Sequence, residues 1–210
     1  IRVLASLQVE GVPLGPFEYW GTRPDDGNDV FEHQDRRELR GLRVFCAWLN
    51  HDDSRSINSL DVYRGAAGEG HVEHYLIDFG STLGSGGFGP QARRAGNEYL
   101  FELTPMIQSG VSLGLWERPW RHVHYARFPE LGRVEAAFFR PEAWRPEYPN
   151  PAFERLRPED GAWAARRLAR VSDEAVAAAL RLARYSDPEA ESYLTATLLE
   201  RKRKCLETWL

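Results

Sequence analysis

Residues 51–80, HDDSRSINSLDVYRGAAGEGHVEHYLIDFG, constrain this chain more than any other stretch. They open with His51, Asp53, Arg55 and Asn58 in the order H-x-D-x-R-x-x-N and close on Asp78-Phe79-Gly80 behind an apolar run. Between these ends lie two strand-like segments, 59–63 and 72–77, joined by 64–71, which holds three glycines. Glycine supplies the backbone freedom that a tight reversal needs, so the pattern predicts a β-hairpin. A hairpin here returns the chain to its starting point. It therefore carries Asp78 back toward the loop that holds Asp53 and Asn58.

In-line transfer of a phosphoryl group calls for a carboxylate near the attacking hydroxyl and for oxygen ligands to a divalent cation between the phosphates. Asp53 suits the first task. Asn58, on the same loop, and Asp78, at the end of the hairpin, suit the second. The stretch resembles the protein kinase-like superfamily: HDDSRSIN is similar to its catalytic loop and DFG to its metal-binding triplet. The run Leu76-Ile77-Asp78-Phe79-Gly80-Ser81-Thr82-Leu83-Gly84 is also similar to the metal-binding segment of phosphoinositide kinases. The resemblance covers about thirty of 210 residues.

It implies catalytic roles for Asp53 and Arg55: Asp53 orients the proton of the attacking hydroxyl, and Arg55, where kinases usually carry Lys, neutralises transferring phosphate. It implies that Asn58 and Asp78 bind Mg²⁺ (or Mn²⁺) and thereby the co-substrate ATP, and that His51 anchors the loop. Asp52 stands where the family has Arg, so control through a phosphorylated activation loop is not expected. Asp61 is expected only to cap its strand. A kinase also needs an N-terminal lobe with a glycine-rich loop and a phosphate-holding Lys. The fifty residues before His51 contain no Lys. The implied organisation over 1–210 is thus a single C-terminal catalytic lobe of a longer protein, with an unknown phosphate acceptor. The alternative is a non-catalytic kinase-like scaffold that binds a partner through its aromatic-rich or helical C-terminal region.

The rest of the chain predicts an α+β fold, mainly helical, with the hairpin at its edge. Residues 1–8 are strand-like, and Gly11, Pro13, Gly15 and Pro16 then break the chain. Phe17, Tyr19 and Trp20 form an aromatic cluster. Asp25, Asp26, Asn28 and Asp29 read as a solvated turn, since their spacing does not fit a calcium loop. Over 35–49, Leu39, Leu42, Phe45, Cys46 and Leu49 recur at helical spacing, with Asp35 as N-cap and Glu38 completing a capping box. Gly84, Gly86 and Gly89 match G-x-G-x-x-G, but Pro90 and Gly96 interrupt the chain directly afterwards, so a flexible segment is expected rather than a dinucleotide site. Residues 98–105 read as a strand or short helix, and 111–150 as irregular chain pinned by large aromatics. His122 and His124 alternate as on a strand, without a third metal ligand nearby.

Three helices are expected at the C-terminal end: 158–171, 173–185 capped by Ser172, and 188–204 opened by a Ser186/Glu189 capping box. The basic run 201–204 reads as a solvated face. The formal charge of −4 gives no global electrostatic argument for nucleic acid, so no nucleic-acid partner is expected, and no apolar run approaches a membrane span. Two distant cysteines, Cys46 and Cys205, make neither a disulfide framework nor a zinc site and leave the compartment undecided.

Overall fold

The computed structural model describes residues 8–113 and 115–210. The strand-like reading of 1–8 falls, Gln8 apart, outside them. The fold is α+β. Its strands are β1 (Val12–Gly15), β2 (Ser59–Arg64), β3 (His71–Leu76), β4 (Ser85–Gly86) and β5 (Gly89–Pro90). Its helices are α1 (Arg37–Leu49), α2 (Leu103–Val111), α3 (Pro151–Glu154), α4 (Pro158–Leu168), α5 (Asp173–Ala183) and α6 (Pro188–Trp209).

The expected hairpin is present. β2 and β3 pair antiparallel in unbroken register from Ser59 opposite Leu76 to Arg64 opposite His71. The residues expected to break the chain near Pro13 instead form β1, which pairs with β2 as the third strand of the sheet. Pro13 is tolerated there because an edge strand has one unpaired side. Asp61 lies mid-strand in β2 rather than at its end. It is buried, accepting from Arg23 (2.8 Å) and paired with His74 Nδ1 (2.6 Å). Nor is the turn near Asp29 wholly solvated. The Asp29 carboxylate takes the Arg23 N–H and binds His33 and Arg36. Of the aromatic cluster, Phe17 and Tyr19 are buried and Trp20 is exposed beneath the Arg155 guanidinium.

The helical side is built around α1. Its named leucines form half-buried shoulders, while Arg40, Gly41, Val44, Cys46, Ala47 and Trp48 make the buried stripe. Gly41 is required by close packing: a Cβ there would lie 3.0 Å from the Trp163 ring and 3.2 Å from Ala164 of α4. Arg40 reaches Asp160 of α4 at 2.6 Å in a buried ion pair. α4 and α5 pack on α6, and Trp48 Nε1 donates to the Leu198 carbonyl of α6 at 2.9 Å.

Several local expectations are corrected. Arg36, not Asp35, is the N-cap of α1, because Asp35 is used in a preceding 3-10 turn. Asp187, not Ser186, caps α6 by accepting the Glu189 N–H, and Ser186 binds Glu130 instead. Ser172 does cap α5. α4 stops at Leu168, and the element expected at 98–105 is a helix starting at Leu103. The basic run is mostly a staple rather than a solvated face. Arg201 and Lys202 are buried, and Lys204 donates to the carbonyls of Ala136 and Ala137. Only Arg203 of the four is exposed.

Between α2 and α3 the chain is largely irregular, with Phe139 and Trp144 buried as pins. The glycine-rich segment forms the β4–β5 hairpin, and among the described residues no helix follows before Leu103. A dinucleotide fingerprint needs that helix at once.

Candidate active site

The loop begins where α1 ends. Asn50 adopts the left-handed conformation (φ 50°, ψ 44°), which Asn tolerates better than most side chains, and terminates the helix. Its Oδ1 accepts the Trp144 indole N–H at 2.9 Å. The His51 N–H donates to the Cys46 carbonyl at 2.8 Å, fixing the direction in which the loop leaves.

His51 is buried. Its Nδ1 lies 3.1 Å from Thr82 Oγ1, and its ring lies 5.6 Å from that of Phe79. Its Nε2 is buried without a partner among the described residues. Burial lowers its pKa, against the pull of Asp53 and Asp78, so the imidazole is favoured in its neutral form. His51 thus ties the loop to the segment after the hairpin.

Asp53 and Arg55 form a two-pronged ion pair, with Nη2 to Oδ2 at 2.9 Å and Nε to Oδ1. Burial alone would raise the Asp53 pKa; hydrogen bonds and the Arg55 charge outweigh it and hold the carboxyl below its ordinary range. Arg55 is half-exposed, with its guanidinium 5.0 Å from the centre of the Tyr148 ring. Asn58 is buried, and its Nδ2 donates to the Asp53 carbonyl at 2.8 Å. Its own carbonyl accepts the Ile77 N–H at 2.9 Å. That bond, with the β2–β3 ladder, joins the loop to the residue before Asp78.

Asp78 is exposed and left-handed (φ 56°), and its Oδ1 accepts the Gly80 N–H at 3.1 Å, capping a 3-10 turn over Phe79–Ser81. The segment then returns to α1, where the Leu83 N–H donates to the Leu49 carbonyl at 2.9 Å. Thus His51, Asp53, Arg55 and Asn58 share one loop, and the hairpin brings Asp78 alongside it.

Among the described residues no three His, Cys, Asp or Glu side chains converge as they would around a metal ion. The donors that the resemblance implies are one amide oxygen and one carboxylate. Mg²⁺ keeps several waters and is commonly held by one or two protein oxygens together with substrate phosphates, so this all-oxygen pair is chemically suitable.

Four further residues shape the site: Asp52 and Thr82, which the sequence reading names, and Gln91 and Glu147, which it does not. Asp52 is buried, its Oδ1 accepting from Gln91 Nε2 and its carbonyl accepting the Glu147 N–H at 2.8 Å. Burial pushes its carboxyl up to about 7; Glu147 and Asp53 add to the rise, and the Gln91 bond opposes it. Two neighbouring carboxyls on one loop are therefore driven in opposite directions. Thr82, on His51, was legible as part of the segment after DFG. Gln91 and Glu147 carry no sequence signal, because only folding brings them to the loop. Comparison with family models, curated proteins and solved structures finds no match to this chain.

Proposed function

We propose that the loop and hairpin form the acid–metal half of a phosphotransferase site acting on Mg²⁺–ATP and an acceptor hydroxyl. The observation that carries this reading is the bond between the Ile77 N–H and the Asn58 carbonyl at 2.9 Å. It sets the segment that ends at Asn58 beside the one that leads into Asp78, about twenty residues later in the chain. Asn58 and Asp78 would hold the cation, which when bound supplies charge neutralisation on the phosphates.

Asp53, with its carboxyl held below the ordinary range, is a weak proton sink near neutral pH. Its role is to accept a hydrogen bond from the attacking hydroxyl and orient it. Arg55 restrains Asp53 in the free protein, and its half-exposed guanidinium is available to an incoming phosphate. His51 keeps the loop in register with Phe79.

A second reading, a kinase-like scaffold without catalysis, is favoured by α2. No residue of this helix is buried, and Leu103, Met106, Ile107 and Val111 are all exposed. Such a surface suits a macromolecular partner.

Calorimetric titration of Mg²⁺–ATP separates the two. Saturable binding to the wild-type chain that is lost in Asp78→Ala and weakened in Asn58→Ala supports the phosphotransferase reading. Absence of binding to wild type, or equal binding to wild type and Asp78→Ala, overturns it.

A further inference from the structure

A cavity of about 360 Å³ lies beside the loop but is lined by none of His51, Asp53, Asn58 or Asp78. Its walls include the rings of Trp120, Tyr125, Phe139 and Trp144, and Asn50 forms part of its lining. A cavity of this size and aromatic character lies within the range of small-molecule sites.

Its polar groups are unevenly satisfied. Glu98 is neutralised by Arg118, and Arg140 by Glu142 at 2.9 Å. That leaves Arg133, Arg201 and Glu135 among the charged lining residues. Arg133 and Arg201 have no carboxylate within ion-pair distance among the described residues. Arg133 donates to the Gln91 carbonyl. Arg201 is buried and donates to the carbonyls of Trp48 (2.8 Å), Glu135 (2.7 Å) and Ala47. A guanidinium has five N–H groups, so three bonds leave donors over. Glu135 Oε2 already accepts the Phe138 N–H at 2.8 Å. The Trp120 indole N–H is buried and has no partner among the described residues.

The lining thus carries a surplus of one positive charge: Glu135 balances one of the two guanidinium charges, the Arg201 guanidinium lies 3.6 Å from the centre of the Phe139 ring, and Arg133, Arg201 and the Trp120 N–H keep donors without partners. A buried donor without an acceptor and a buried cation without an anion are both costly. The complement to this lining is a flat apolar body bearing one anionic acceptor. We propose that this cavity is a binding site for a planar aromatic carboxylate, separate from the phosphotransferase site. The carboxylate faces Arg133, Arg201 and the Trp120 N–H, and the ring system packs against the aromatic walls. Burial pushes the Arg201 pKa down to about 10, and an entering anion supplies the opposite charge that offsets that cost.

The test uses 2-naphthoate as probe, with 2-naphthalenemethanol, which has the same ring system and no charge, as control, by isothermal titration calorimetry on the intact chain. Saturable one-to-one binding of the acid is expected, with the alcohol weaker by about tenfold or more, as loss of a charge-assisted hydrogen bond implies. Ala143→Phe places a ring at the cavity from an exposed lining position and should abolish binding while leaving the thermal midpoint unchanged. Trp120→Phe keeps one aromatic ring but deletes the unpartnered donor together with the second ring, and should weaken the acid severalfold and more than the alcohol. No saturable binding of the acid to wild type overturns the proposal, as does undiminished binding in both variants. Equal affinity for acid and alcohol overturns the anionic assignment. Neither result depends on whether Mg²⁺–ATP binds at Asp78.

Discussion

Replacing Asp52 with Asn should stabilise the protein progressively as the pH rises. Asp52 is 5% exposed, and burial moves its carboxyl from its ordinary 3.8 to about 7. Between those values the unfolded chain has released the proton and the folded chain still holds it. The folded state therefore binds more protons, and stability falls with increasing pH until the folded group has titrated; above that the loss is constant. A rise of this size corresponds to about 4 kcal/mol in full, of which about 1.5 kcal/mol is already incurred at pH 5 and about 2–3 kcal/mol falls between pH 5 and pH 8. Asn is neutral throughout and can still accept from Gln91 Nε2.

Urea denaturation of wild type and Asp52→Asn at both pH values reads the effect, and the variant should gain about 2–3 kcal/mol on wild type across that interval. His51, whose pKa burial lowers, acts in the opposite sense near neutrality. The comparison is therefore made between variant and wild type at each pH rather than along one profile. Asp29, Asp53 and Asp160 are held below their ordinary range, so their contributions are fully present above about pH 5, are lost only as the pH falls further, and do not change across the interval. A variant-to-wild-type difference that stays constant from pH 5 to pH 8 would refute a carboxyl kept neutral by burial.

Two further perturbations test the frame around the site. Arg201→Met removes the donors that α6 supplies to the Ala47 and Trp48 carbonyls at the end of α1, and should lower stability by about 3–5 kcal/mol in chemical denaturation; a loss below about 1 kcal/mol would mean that water replaces the guanidinium. Gly96→Ala adds a Cβ that would lie 2.3 Å from Asn50 Oδ1 and 3.0 Å from Trp144 Nε1, at a backbone φ of +79°. It should cost about 2–4 kcal/mol through strain and the broken Asn50–Trp144 bond, read as a lower thermal midpoint, and an unchanged midpoint would show that the loop's origin is not held there.

The parts of this fold that were legible beforehand are local in sequence. The hairpin was readable because apolar alternation and three glycines lie within about eighteen residues of one another, and β2 and β3 pair as that pattern requires. Helices α1, α4, α5 and α6 were readable from periodicity and alanine content, since propensity and amphipathicity act within a few turns. Their caps were less so. Asp35 and Ser186 have the right chemistry, but the backbone around each is committed to another contact.

The candidate site divides in the same way. Residue type and spacing pointed to Asp53, Asn58 and Asp78, and the resemblance to the kinase-like superfamily added His51 and Arg55, because each lies on one loop or at the end of one hairpin. They did not reveal that Arg55 would hold Asp53, or that Asp52 would be buried under Gln91 from a segment 39 residues away. Charge partners chosen across such distances leave no periodic trace.

By itself the sequence determined the helix–loop–hairpin order and the residues that the loop presents, because backbone preference and hydrophobic alternation are short-range. Only the tertiary structure decided which charges are buried and against what. Arg40 with Asp160, Arg201 on the carbonyls of α1 and Glu135, and Asp61 between Arg23 and His74 all join distant parts of the chain. A buried charge acquires its partner from packing, and packing is a property of the whole chain.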